Sequence, residues 1–203
     1  MNMEIKINKH PIPYEKAIEF LEKRVKKIKE GNEADLLWIL EHPTVYTAGI
    51  RADKKEILDK SIKIISTNRG GKITLHSPGQ KIIYFVLNLN KRKKDIRNLV
   101  NVLEKSIIEF LKLFKIKGST DEKNIGIWVD EKKIAAIGVK VTKWIAYHGC
   151  SINIDNDLDK YQKIIPCGLD NKKVTSIFNE ISKVPKNIEQ DLIKIFLKNL
   201  EDT

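Results

Sequence analysis

Hydrophobic positions along the chain alternate between helical and strand-like spacing. Over residues 13–29, Ala17, Ile18, Leu21, Val25 and Ile28 recur three or four positions apart, one face of a helix, and Gly31 stands where that helix should end. The broadest apolar stripe runs over residues 95–114, through Ile96, Leu99, Val100, Leu103, Ile107, Phe110, Leu111 and Phe114. A closing helix is predicted over 187–200. Between these, "DLLWILEH" is a continuous apolar run of the kind buried on both faces of a sheet. "HPTVYTAGI" turns into a second short strand. "KIISTNRGGKITLHSPGQKIIYFVLNL" holds two strand-like runs separated by Gly/Pro turns, and "NIGIWVDEKKIAAIGVKV" is a hairpin about the polar "DEKK". "WIAYHGCSINI" supplies further strand. No repeat, low-complexity tract or linker interrupts the pattern. Helices mixed with hairpin-rich strands predict an α/β (mixed α+β) single domain over 1–203.

Composition supports that picture. With 203 residues, 41% of them hydrophobic, the chain has the length and apolar content for a packed core. The longest apolar runs, such as 82–87, are too short to span a bilayer. The N-terminus "MNMEIKINKHPIP" lacks the pattern of a signal peptide, so a cytoplasmic location without membrane association is expected. The net charge of +11 is mostly scattered lysine, and arginines are few (Arg24, Arg51, Arg69, Arg92, Arg97). Abundant Lys, Ile and Asn also fit the drift of an AT-rich genome. The remaining reading is an acidic macromolecular partner, with "NKRKKDIR" at 90–97 the densest cluster.

The two cysteines, Cys150 and Cys167, form no CxxC pair and are expected as free thiols. The four histidines show no zinc spacing. His148 and Cys150 lack further ligands nearby, so no metal site is expected.

Four stretches carry candidate chemistry. "RGGKITLHSPGQ" joins a permanent cation, Arg69, to adjacent glycines and the polar Thr74, His76 and Gln80, and reads either as a hairpin turn or as a binding loop. In "EKKIAAIGVK", Lys133 opens a strand whose small residues Ala135, Ala136 and Gly138 let something lie close against it; the alternative is a surface lysine at a hairpin end. "YHGCSIN" places His148 and Gly149 before a small-residue strand. In "IIPCGLD", Pro166 fixes its own φ and biases Ile165 to extended geometry, while Gly168 removes bulk beside Cys167. That suits a positioned thiol, although free cysteine is also a common small buried hydrophobe.

Together these stretches resemble the lipoyl(octanoyl) transferase family of lipoate biosynthesis. The pattern RGGxxTxHxPGQ is present from Arg69 to Gln80, and "HPTVYTAG", "KKIAAIGVKV", "HGCSINI", "DLDKYQKIIPCG" and "VTSI" follow the family's order across roughly 41–177. The resemblance implies a fold like the catalytic domain of biotin and lipoate ligases, a central mixed sheet flanked by helices. It implies Cys167 as acyl-thioester nucleophile with Lys133 as its partner. It also implies substrate contacts from Arg69, Gly70, Gly71, Lys72, Ile73, Thr74, Leu75 and His76, from Ala136, Ile137 and Gly138, and from Gly149, Cys150 and Ser151. Ser77, where the family commonly has glycine, and Leu75, where an aromatic is frequent, depart from the pattern. Lys140 matches a position that often carries arginine, not the catalytic lysine.

The implied reaction moves an octanoyl group from octanoyl-acyl carrier protein to a lysine of lipoyl domains, those of 2-oxoacid dehydrogenase complexes and the glycine cleavage H protein. A thioester is already activated, so neither ATP, metal nor another cofactor is expected. A free thiol with a pKa near ~8.5 holds only a few per cent thiolate at neutral pH, and a nearby ammonium lowers that pKa. Backbone N–H groups of Gly70, Gly71 or Gly168 are candidate oxyanion donors. Two rival readings follow from the same residues. An ATP-dependent lipoate or biotin ligase on this scaffold has no use for a nucleophilic cysteine, and no further C-terminal domain is expected beyond about Thr203. A basic RNA-binding module needs exposed aromatics, whereas Trp38, Trp128 and Trp144 lie in apolar strand-like runs.

Overall fold

The computed structural model describes residues 3–122, 124–165 and 173–203. Helix α1 (Tyr14–Lys29) follows the expected apolar face, burying Ala17, Leu21 and Ile28. It ends as Gly31 predicts: Gly31 takes a φ of 80°, its N–H donates to Ile28 O (3.0 Å), and Asn32 N–H donates to Lys27 O (3.0 Å). This Schellman arrangement needs a residue without Cβ strain at that φ. Helix α2 (Ile96–Lys112) begins at Asp95, whose carboxylate accepts the Asn98 N–H (2.9 Å). A one-turn helix α3 (Ile177–Ile181) and the closing helix α4 (Ile188–Leu200) follow.

Among the described residues, ten strands make two sheets. The larger is mixed and runs β1 (Met3–Ile7), β2 (Asp35–Leu40), β6 (Gln80–Asn88), β10 (Ile145–Asn153), β9 (Lys132–Thr142), β8 (Ile127–Val129), β7 (Ser119–Thr120). Among its described strand pairs only β1–β2 is parallel. The smaller sheet has β3 (Val45–Ala48) between β4 (Ile64–Ser66) and β5 (Ile73–His76).

Side-chain alternation assigns the faces. On β6, Ile82, Tyr84 and Val86 pack toward α1, while Ile83, Phe85 and Leu87 pack with Leu103, Ile107 and Phe110 of α2 and Leu192 and Phe196 of α4. The central sheet is thus buried on both faces, which is why β2 and β6 read as continuous apolar runs. Residues 63–89 hold three strands where two were expected, because the three-residue β4 lacks a periodic signal. The "DEKK" hairpin is as expected: Asp130 and Glu131 take φ values of 43° and 65°, the left-handed pair of a tight two-residue turn. Trp144 departs from expectation. With Lys143 it forms the β9–β10 turn at positive φ, and it is exposed, with Lys94 Nζ 5.8 Å from its ring centroid. The "NKRKKDIR" cluster is also less free than its charge suggests. Arg92 is tied to Asp35 (2.8 Å) and to Leu200 O (2.9 Å), packing the C-terminus against the sheet.

No helix among the described residues is long and apolar enough to cross a membrane.

Candidate active-site cleft

A cleft of about 350 Å³ opens between the loop before β5, the first half of β9 and the middle of β10, with Ile82 and Tyr84 of β6 at its base. Most of the residues singled out from sequence meet here: Arg69, Gly71, Lys72, Thr74, His76, Lys133, Ala136, Ile137, Gly138, Gly149, Cys150 and Ser151 all line it. They come from segments up to 82 positions apart (Arg69 to Ser151) that the antiparallel register β9–β10–β6 brings side by side.

Ile73 and Leu75 are not on the cleft. On β5 the side chains alternate, so Thr74 and His76 face the cleft while Ile73 and Leu75 enter a satellite core with Tyr46, Tyr161 and Ile164. Gly70 is a structural contact: its N–H donates to Val139 O (3.3 Å), which also removes it as a ready oxyanion donor. Gly138 lets this happen, since a Cβ there would meet Gly70 O at 3.1 Å and Arg69 Cδ at 3.4 Å. The space left by that small residue is therefore filled by the chain's own loop. Arg69 is buried, its guanidinium donating to Thr47 O (2.8 Å), Thr47 Oγ1 (2.8 Å) and Gly70 O (3.0 Å), so it fastens the loop to β3.

Lys133 is buried in the cleft wall. Its Nζ donates to Ile125 O (2.9 Å) and lies 5.2 Å from the centroid of the Trp128 ring. Its backbone pairs with the 173–175 segment: Lys133 N–H donates to Lys173 O (2.9 Å), and Thr175 N–H donates to Lys133 O (2.9 Å). Cys167, with Pro166 and Gly168, lies outside the described residues. On the near side of that stretch, Ile165 N–H donates to Glu56 O (2.8 Å). Lys140 is elsewhere, its ammonium 5.7 Å from the centroid of the Tyr147 ring.

The other cysteine is inert by environment. Cys150 is buried, and burial pushes its thiol well above the usual range. The three buried histidines are neutral for the same reason: burial lowers His42 to about 4, and His76 and His148 to about 3. His42 and His76 are also hydrogen-bonded through Nδ1–H, to Ile12 O (2.6 Å) and Gln80 Oε1 (2.7 Å).

His148 breaks the strand's alternation. Its partner in β6 is Phe85, which faces α2, and strict alternation would send the imidazole the same way. A φ of 71° turns it instead toward Tyr84, and its Nε2–H donates to Asn68 Oδ1 (2.8 Å). Gly149 sits where a Cβ would lie 1.9 Å from Ile83 O, so only glycine fits.

Sequence reasoning missed several groups. Gly126 and Asn68 lie in no motif singled out above, and Asn153, although it ends the "YHGCSIN" stretch, was given no role there. Asn153 Oδ1 accepts from Gln80 Nε2 (2.8 Å), and its Nδ2 donates to Thr175 O (2.9 Å), linking the β5–β6 turn to the segment beside Lys133. Gln80 and Asn153 each stand in a quoted stretch, but their pairing was not visible, because the contact spans 73 positions.

Residues 13–200 match the family model described as the lipoyl protein ligase A/B catalytic domain. An octanoyltransferase of Orientia tsutsugamushi (strain Boryong) is 47% identical over 196 residues, covering 93% of this chain and 93% of that protein. An octanoyltransferase of Wolbachia pipientis wMel is 45% identical over 193 residues, covering 93% and 94%. Among solved structures, protein Ta0514 from T. acidophilum with bound lipoic acid superposes with a TM-score of 0.80 at 15% identity, covering 99% of this chain and 87% of that one. The bi-partite lipoate protein ligase from Thermoplasma acidophilum gives a TM-score of 0.76 at 14% identity, covering 99% and 84%. The structural likenesses establish the fold: a mixed sheet with helices on both faces.

Proposed function

The chain belongs to the lipoyl protein ligase A/B catalytic-domain family and is an acyltransferase of the octanoyltransferase kind; from this premise we propose that it moves an octanoyl group from octanoyl-acyl carrier protein to a lysine of lipoyl domains through a thioester on Cys167. The observation that carries this reading is the placement of Lys133. Its ammonium lines the cleft, and its backbone holds the segment that follows "PCG" in the chain.

In the first half-reaction the Cys167 thiolate adds to the thioester carbonyl. The tetrahedral intermediate expels the pantetheine thiolate, which takes up a proton. In the second, the acceptor lysine's neutral amine adds to the Cys167 thioester, loses a proton, and expels the Cys167 thiolate as the amide forms. Lys133 is the cation that stabilises the thiolate and the group that relays protons between the halves. Thr74, Ile137 and the β10 residues Gly149 to Ser151 wall the acyl slot, with Tyr84 at its base. Because the donor is a thioester, the reading requires no ATP and no metal. The acceptors are the lipoyl domains of 2-oxoacid dehydrogenase complexes and the glycine cleavage H protein.

Incubation with octanoyl-carrier protein followed by intact-mass measurement tests the proposal. An octanoyl adduct is expected on the native chain and absent from Cys167→Ala; an adduct that survives the substitution overturns the assignment. Lys133→Ala is expected to slow adduct formation. Full turnover is expected in the absence of ATP, and a strict ATP requirement would replace this reading with a ligase.

A further inference from the structure

The segment after β3 forms a fixed lip over the cleft. Gly49 N–H donates to Lys72 O (3.1 Å), Ile50 N–H to Arg69 O (3.1 Å) and Arg51 N–H to Gly71 O (3.0 Å). Gly49 permits this contact, since a Cβ there would lie 2.3 Å from Gly71 O. On this pinned backbone Ile50 is 72% exposed, more than any other large hydrophobic described. Arg51 is exposed beside it and lines the cleft, and its guanidinium has no hydrogen-bond or ion-pair partner among the described residues.

Cations predominate at the surface of this lip. Lys54, Lys55 and Lys60 are exposed. The nearby carboxylates are each engaged: Asp53 caps the turn by accepting the Lys55 N–H (2.9 Å), Glu56 is buried against Lys72 (2.8 Å), and Asp59 takes Ser61 Oγ–H (2.6 Å) and Lys163 (3.1 Å). What residues 49–60 present to solvent is a rigid apolar side chain among exposed cations, with Asp53 the exposed carboxylate of the lip and Glu122 on the same cleft, next to the cavity that contains Lys133. None of these exposed groups contributes to the core, and an apolar centre with a charged rim is the anatomy of a binding patch.

We propose that residues 49–60 are the docking surface for the acyl donor, an acidic carrier protein, and that Arg51 receives the phosphodiester that anchors its pantetheine arm. The inference rests on the donor reading above. Charge complementarity selects the donor over the acceptor. The donor's arm brings an anion toward the cleft with the thioester, and a guanidinium matches phosphate oxygens in two-point geometry. The acceptor's reacting side chain arrives as a cation, which Arg51 repels. Lys54 and Lys55 meet the carrier's acidic surface and steer its approach, and Ile50 supplies the apolar contact.

Three donors separate these roles: octanoyl-carrier protein, octanoyl-phosphopantetheine and octanoyl-pantetheine, each assayed for acyl-enzyme formation with the full chain. Arg51→Ala is expected to lower kcat/KM roughly tenfold with the two phosphate-bearing donors and to leave octanoyl-pantetheine unchanged. The double change Lys54→Glu, Lys55→Glu is expected to weaken only the carrier-protein reaction and to flatten its salt dependence, and Ile50→Glu to weaken the same donor. Equal losses with all three donors, no loss with any, or a rise confined to KM for the acceptor domain overturns the inference. If the native chain accepts octanoyl from none of the three, the transferase reading itself falls. Because all four side chains are exposed, unchanged thermal midpoints are expected for every variant.

Discussion

Gly126 makes the space that Lys133 occupies. A Cβ on Gly126 would lie 2.5 Å from Lys133 Cε, closer than a side-chain carbon approaches an unbonded atom, and 3.0 Å from its Nζ. The ammonium is thus located from three sides: the Ile125 carbonyl accepts its proton, the Trp128 ring lies beside it, and the missing side chain of Gly126 lets it sit there.

Gly126→Ala is therefore expected to displace the Lys133 side chain. Acyl-enzyme formation should fall at least about tenfold, with a slower pH 7 alkylation of the reactive thiol. The same Cβ would also lie 2.6 Å from Ala135 O, so a stability loss of about 1–3 kcal/mol should accompany it. Denaturant melts measure the second effect and alkylation kinetics the first. Wild-type alkylation kinetics in a folded variant would remove Gly126 from this role.

Cys150 should not react in the native protein. Burial raises its thiol pKa, so almost no thiolate exists at pH 7–8. Brief iodoacetamide treatment followed by peptide mapping is expected to leave Cys150 unlabelled until denaturant is added. Fast native labelling at Cys150 would contradict its place in the core.

The buried histidines give stability a pH dependence of known sign. In the fold His42 is lowered to about 4, and His76 and His148 to about 3, whereas in the unfolded chain each titrates near ~6.5. Below pH 6.5 the unfolded state binds protons that the native state refuses, so stability falls as pH drops from about 6.5 toward the folded values. Each histidine contributes a slope approaching about 1.4 kcal/mol per pH unit within that window. Denaturant midpoints at pH 7.5 and 5.0 check this, and His76→Gln should reduce the difference. A flat profile above pH 5 would show that these imidazoles titrate normally.

Asn153→Asp should be more damaging than its size suggests. The wild-type amide donates to Thr175 O and accepts from Gln80 Nε2. A carboxylate retains the second bond but turns a buried acceptor toward the Thr175 carbonyl, a loss of about 2–4 kcal/mol. Thermal unfolding checks the magnitude. Because Thr175 N–H is bonded to Lys133 O, slower acyl-enzyme formation should accompany the lower stability.

The periodic elements were readable in advance because their causes are local. Helices α1, α2 and α4 follow three- and four-residue apolar spacing, and Asp95 and Gly31 mark two of their ends by chemistry within a few residues. Strand β1 escaped notice because its MEIKI pattern is short and half polar, and only its parallel pairing with β2 makes it a strand. Trp144 looked like strand because its neighbours are apolar, yet the two-residue turn it shares with Lys143 is dictated by the β9–β10 register.

For the site, sequence by itself determined which residue types are present and in what order, enough to single out Lys133, the RGG loop and the small residues of β9 and β10. Tertiary structure decided what each of them does. The period of two on β5 divides Thr74 and His76 from Ile73 and Leu75, but which pair faces the cleft depends on where the satellite core lies. Gly138 and Gly126 are each fitted around an atom of another segment, Gly70 O and Lys133 Cε. His148 turns against its strand because its ring bonds Asn68, 80 positions away. Such contacts form between segments distant in sequence, and the steric and hydrogen-bond terms that select them exist only once the sheet has closed.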